Sequence, residues 1–293
     1  MPKPVKEKAA EKTRKYGGAA LNAAVVAGLG AAVAGPIGAI GGAVVGTVAE
    51  DVFIWAAEEI EKRCFSYSEG KRIKTVYELA EEKISRKLYD GKVLRSEGFY
   101  HDSIDDRSSA KEILEGVLLA SQRENEEKKL TYLANLYTNI NFDETVSRPM
   151  ANQLIKIAST VSFRQLIILS IIGKNQFGTL GVSLRDNAFR GYIKRNDMSI
   201  AAEIFDLYRM SLIVSSSPIY DASSFTPSHL VMNGMGELIY DLMELNTMPK
   251  DETMNTIVTF LTDDFPMPPK EEVVTGELPI YNGEIIEEQL KEI

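Results

Sequence analysis

The chain is poor in the residues that usually carry chemistry. It has one cysteine, Cys64, among 293 residues, so neither an intramolecular disulfide nor a cysteine-only zinc site is available. Its neighbours Lys62 and Arg63 favour the thiolate, but no base pairs with it, and an inert thiol is expected. There are two histidines, His101 and His229, far apart in the chain. His101 stands near Asp102, Asp105 and Asp106, a cluster that a polar surface turn explains without a metal. No glycine-rich phosphate loop precedes Gly173-Lys174, and no GxSxG elbow is present. Ser68 and Lys71 have the Ser-x-x-Lys spacing, which chance supplies in a chain with this much serine and lysine. No enzyme activity, metal or cofactor is therefore expected. Positive charge is also in deficit. The net charge of −9 argues against a nucleic-acid binder, which needs a basic face.

The most local absence is of charge. Between Lys15 and Glu50 no residue is charged, and residues 19–49 consist of Ala, Gly, Val, Ile and Leu apart from Asn22, Pro36 and Thr47. A membrane helix needs about 20 mostly apolar residues, so the length suffices. The stretch is too long for the core of a signal peptide, about 7–15 residues, and reads as part of the mature protein. Gly38, Gly42 and Gly46 recur at every fourth position, with Gly30 and Ala34 extending the small-residue spacing upstream. On a helix they form one smooth face that lets another backbone approach closely. In water each such glycine costs about 1 kcal/mol of helix stability, which close packing must offset. Gly35-Pro36 interrupts the run. A hairpin of two helices, about 18–34 and 37–60, is expected, with a single kinked span as the alternative. A soluble, fully buried glycine-packed hairpin is the competing reading. Lys12, Arg14 and Lys15 would hold the N-terminus on the cytoplasmic side, and Phe53 and Trp55 would sit at headgroup level.

The remainder is mainly α. Residues 71–90 form an amphipathic helix ended by Asp90-Gly91; Ser109 with Glu112 makes a capping box for the next. The run QRENEEKKL reads as a solvated bend or helix face. Leu130–Ile140 carries a helix, and Ser147-Arg148-Pro149 opens another. Over 162–246 the order is helix, helix, strand, turn, strand, helix, which is winged-helix-like α+β. There Ser162 and Gln165 cap the first helix, Ser199 the second, and Leu212-Ile213-Val214 makes a strand. The second helix carries Glu203, Asp206 and Arg209, so phosphates would be repelled and a protein partner is favoured. Arg185, Arg190, Lys194 and Arg195 form the one basic cluster of this segment, a solvated face or a contact to an acidic partner or lipid. The expected division is a basic tail 1–16, a glycine-zipper hairpin 17–62, a helical domain 63–161, the winged-helix-like segment 162–246, and an acidic Pro-containing tail 247–293. That tail is expected to be extended after a short helix near Met254–Leu261.

Four stretches, ENEEKKLTYLANLYTNINFD, LIKIASTVSFRQLIILSII, EIFDLYRMSLIV and FTPSHLVMNGMGELIYDL, resemble the Abi-alpha-like proteins of bacterial abortive infection. The similarity covers about residues 108–246. The glycine-rich segment in front resembles the glycine-zipper hairpins of membrane-active bacterial proteins. Together these resemblances imply an antiphage effector that self-associates at the inner membrane, with most of the chain cytoplasmic. A soluble adaptor is the alternative. No catalytic residues carry over.

Overall fold

The computed structural model describes residues 48–263, except Cys64, Asp105, residues 190–192, Asn196 and the side chain of Glu61. The hairpin expected from residue 18, the N-terminal tail and the chain beyond 263 lie outside the described residues. Nine α-helices and one two-stranded ribbon are described. Their order is α1 (Val48–Glu61), α2 (Tyr67–Tyr89), α3 (Ser109–Arg123), α4 (Leu130–Ile140), α5 (Arg148–Thr160), α6 (Phe163–Gln176), α7 (Met198–Arg209), β1 (Ile213–Ser215), β2 (Leu230–Met232), α8 (Met235–Leu242) and α9 (Glu252–Leu261).

The helix starts follow local chemistry. Ser66 opens α2 with a reciprocal capping box: its hydroxyl accepts from the Glu69 amide, and the Glu69 carboxylate accepts from the Ser66 amide. These hydrogen bonds from Ser66 bring the Glu69 carboxyl down to about 2. The helix begins four residues before the expected 71, because this cap lies upstream of the apolar periodicity. Gly91, at φ +83°, follows the Asp90 cap and ends it in the left-handed region open to glycine. Ser147 with Pro149 opens α5, and Ser162 with Gln165 boxes the start of α6, both as expected. Two caps differ. The α3 cap is Ser108, one residue upstream of the expected Ser109. Glu112, expected to complete the box, is instead drawn to Arg148 and Asn152 of α5, a charge pair across the bundle. Ser199 does not cap α7, which starts at Met198 after Asp197 with no side-chain cap.

One apolar cluster runs from Ala49 to Leu261, so the borders expected at 62, 161 and 247 are not breaks in the core. α2 packs along α3 and α4, α1 lies on α3, and α5 crosses α3. α6 is buried on every side from Gln165 to Lys174, among α7, α8, α9 and β2. A helix apolar all round belongs at such a centre. α4 and α6 also satisfy the carbonyls exposed where α8 ends. Asn135 and Asn139, one turn apart on α4, donate to the Met243 and Leu242 carbonyls at 2.9 and 2.8 Å. Ser170 and Lys174, one turn apart on α6, donate to Leu245 and Met248 at 2.7 and 2.8 Å. Two i, i+4 polar pairs thus supply the acceptors' partners that a helix C-terminus lacks. They also join the middle helices to the later segment.

The run expected to be a solvated bend is a corner clamp. Lys129 is 2 % and Glu124 9 % exposed, paired at 2.5 Å, and Lys129 also donates to the Val161 carbonyl at 2.6 Å. Glu126 accepts the Phe163 amide at the start of α6, 2.7 Å away. These residues face the α5–α6 corner, which folds back onto them.

The order α6, α7, β1, β2, α8 is the one expected over 162–246. β1 and β2 pair antiparallel, with Ile213 opposite Met232 and Val214 opposite Val231. Ile213, Leu230 and Met232 face the core, while Val214 and Val231 face outward. A Cβ on Gly236 would come within 1.9 Å of the Leu212 carbonyl oxygen, so the first turn of α8 touches the base of the ribbon backbone to backbone. The helix near Met254–Leu261 is present as α9, packed on α6.

Candidate functional site

The sequence places the functional weight on the uncharged stretch, whose described end is α1. Its apolar residues Ala49, Val52, Phe53, Ala56 and Ile60 fall on one face and are buried, while Val48, Asp51, Ile54 and Glu58 are exposed. Phe53 is the anchor. It is 2 % exposed, edge-on to Tyr77 and Tyr137 at 5.1 and 5.9 Å between ring centres, and its carbonyl accepts from the Tyr77 hydroxyl at 3.0 Å. The expected headgroup position for Phe53 is therefore corrected: the ring is a core residue, because α2 and α4 present two tyrosines to it. Trp55 is half-buried on the α3 side, with Arg107 and Lys111 each 5.8 Å from its ring. Beside it lies a narrow slot of about 20 Å³, lined by Trp55, Ile60, Phe65 and Leu118. Glu115, also in its lining, pairs with Arg63 and Arg107.

The seat of α1 contains a buried carboxylate. Glu81 of α2 is 8 % exposed and its Oε2 has no hydrogen-bond partner. Burial, then the charges of Glu78 and Glu50, pushes its carboxyl above the ordinary range. A carboxyl whose folded value is raised supports the fold below the ordinary carboxylate range and loses that support as pH rises through the folded value. Glu81→Gln is thus expected to stabilise the protein at pH 7 by about 1 kcal/mol, the low end of the cost of a buried unpartnered group. The gain should vanish near pH 4. Urea unfolding at the two pH values measures both.

Of the proposed helix-packing residues, Gly30, Ala34, Gly38, Gly42 and Gly46 lie outside the described residues, as do Lys12, Arg14 and Lys15. The basic cluster is not a uniform surface. Arg190 is outside the described residues, Lys194 and Arg195 are exposed before α7, and Arg185 is buried. Arg185 is corrected from an exposed contact to an interior side chain, because its loop is pinned under the end of α9: its amide donates to the Leu261 carbonyl at 3.0 Å. Sequence reasoning missed three more buried cations. Lys129 and Lys174 have the roles above, and Arg95 caps the end of α4 through the Ile140 and Val146 carbonyls at 3.1 and 2.9 Å. Their burial has no local signal, since the backbone carbonyls they reach lie dozens of residues away.

Asp102 accepts the Ser108 amide at 2.8 Å and pairs with Lys111, and Asp106 pairs with Arg148, so both carboxylates serve the turn before α3. Ser68 and Lys71 are exposed on the first turns of α2. Among the described residues no group of three or more potential metal ligands occurs. Among them, too, no single helix is long and apolar enough to cross a membrane; α5 with α6 passes on length and composition but is bent by 114°. No family model, curated protein or solved structure matches this chain.

Proposed function

We propose that the protein acts at a membrane, with residues 17–47 as the lipid-contacting, self-associating element and the helical body as the unit that restrains or reports to it. One observation carries this reading: the uncharged stretch with glycines at 38, 42 and 46 runs directly into α1, whose Phe53 is locked into the core. Any displacement of that stretch would pull on a helix with a buried anchor. The sequence resemblance to abortive-infection proteins supports a role in antiphage defence, in which assembled copies would perturb or permeabilise the bacterial inner membrane. Flotation with phosphatidylglycerol-containing vesicles tests it. Full-length protein should float and a chain lacking residues 1–47, which keeps all of α1, should not. Gly42→Leu should leave flotation intact and cut dye leakage by about tenfold or more, because leucine blocks close helix approach. Full-length protein that stays with the lipid-free fractions sinks the proposal.

A second reading, a soluble adaptor, is favoured by the ribbon. Val214 and Val231 lie side by side on its outer face, and Tyr220 in its connection is 82 % exposed. Taken as winged-helix-like, this segment would use α7, whose Glu203 pairs with Arg164 of α6 at 2.6 Å, and the acidic balance favours a protein partner. It predicts full-length protein in the soluble fraction without detergent, and a partner lost on Val231→Asp.

A further inference from the structure

α1 and α2 run in opposite directions. Ile60, near the end of α1, shares the slot with Ile73; Phe53 meets Tyr77; and Glu50, at the start of α1, acts on Glu81. Residue numbers fall along one helix as they rise along the other. Val48, where the uncharged stretch enters the body, therefore stands level with the last turns of α2. The stretch meets the body at the end that carries residues 83–93.

That end has a distinctive surface. Tyr89 is 81 % and Val93 82 % exposed, one on each side of the turn at Gly91, so two large apolar side chains project from the fold together. Residues 83–93 hold four cations, Lys83, Arg86, Lys87 and Lys92, against Asp90 alone. Arg86 is matched by Glu82 at 2.9 Å and Lys87 by Glu244 at 3.3 Å. Among the described residues no carboxylate pairs with Lys83 or Lys92. Glu50 and Asp51 also lie at this end, in the first turn of α1, where the helix dipole favours them. Projecting tyrosine and valine beside unpaired lysines match the two attractions of a bilayer surface: insertion of apolar side chains at headgroup level, and the pull of anionic lipid on basic residues.

We propose that the end of the body formed by residues 83–93 rests on the anionic headgroups of the membrane, with Tyr89 and Val93 inserted and Lys83 and Lys92 on lipid phosphates. This inference rests on the membrane reading above and gives it an orientation. The helical body stands on the bilayer by the end where the uncharged stretch joins it, and the opposite end of α2, at Tyr67, points away. The helix is 23 residues long, which separates its two ends by about 33 Å, well beyond the depth of interfacial insertion.

The test labels the full-length chain at one position with the polarity-sensitive fluorophore NBD. Cys64 is the only cysteine, so Val93→Cys and Tyr67→Cys in a Cys64→Ser background each carry a single label. On vesicles containing phosphatidylglycerol, emission from position 93 should rise by about twofold or more, and position 67, itself 65 % exposed, should keep its solution value. In the unlabelled chain, Lys83→Ala with Lys92→Ala should weaken binding to these vesicles by about tenfold or more, and high salt should erase the difference. Protein that binds the vesicles while position 93 stays silent, or responds no more than position 67, overturns this inference and leaves the membrane reading standing. Unchanged binding after removal of the two lysines does the same. Full-length protein that does not bind the vesicles at all overturns both.

Discussion

Phe53→Ala is expected to destabilise the protein by about 3–5 kcal/mol, the usual cost of emptying a fully buried aromatic site. Phe53 contacts Tyr77 and Tyr137 edge-on, and the Tyr77 hydroxyl holds the Phe53 carbonyl. Truncation leaves two tyrosine rings facing a void and loosens α1 where it joins the uncharged stretch. For a body of this size each kcal/mol lowers the unfolding midpoint by about 2–4 °C, so a drop near 10 °C is expected. Ile54→Ala, one residue on and 40 % exposed, should change little. Denaturant unfolding followed by circular dichroism measures both. Equal effects from the two would mean that α1 is not seated on the core in solution. Truncation at the expected segment border of residue 62 would delete α1 and open the core, whereas removal of 1–47 leaves every buried α1 residue in place.

Lys129→Ala is expected to cost about 3–5 kcal/mol, because it strands a buried partner. Without the ammonium, the Glu124 carboxylate stays interior with its charge unmatched, and the Val161 carbonyl at the end of α5 loses its donor. Most of the loss is a penalty on what remains, so replacing both members should recover much of it. Lys129→Met with Glu124→Gln is expected within about 1–2 kcal/mol of wild type, since a paired buried charge and a neutral filling of similar volume are close in free energy. A double-mutant cycle in urea reads the coupling. Independent, additive effects would place the two charges in solvent, contrary to the clamp.

The features legible in the sequence are those decided within a few residues. Ser147 and Ser162 announce α5 and α6 because a cap satisfies amides two or three positions away. Asp90-Gly91 announces the end of α2 because only a local backbone conformation is at stake. The β-branched run Leu212-Ile213-Val214 reports a strand for the same reason. The order helix, helix, strand, strand, helix could be read, but its attachment through Asn135, Asn139, Ser170 and Lys174 could not.

Composition and spacing by themselves determined that residues 16–49 carry no charge, that glycines recur every fourth position at 38, 42 and 46, that the body is helical, and where α5 and α6 begin. The tertiary structure decided which charges are interior. Lys129, Arg95 and Arg185 look like any surface cation in one dimension, and each is buried where a distant segment comes in: the Val161 carbonyl for the first, the Ile140 carbonyl for the second, and the end of α9 at Leu261 for the third. It also decided that Phe53 belongs to the core. Periodicity marks an apolar face, but only the two tyrosines waiting on α2 and α4 determine what that face meets.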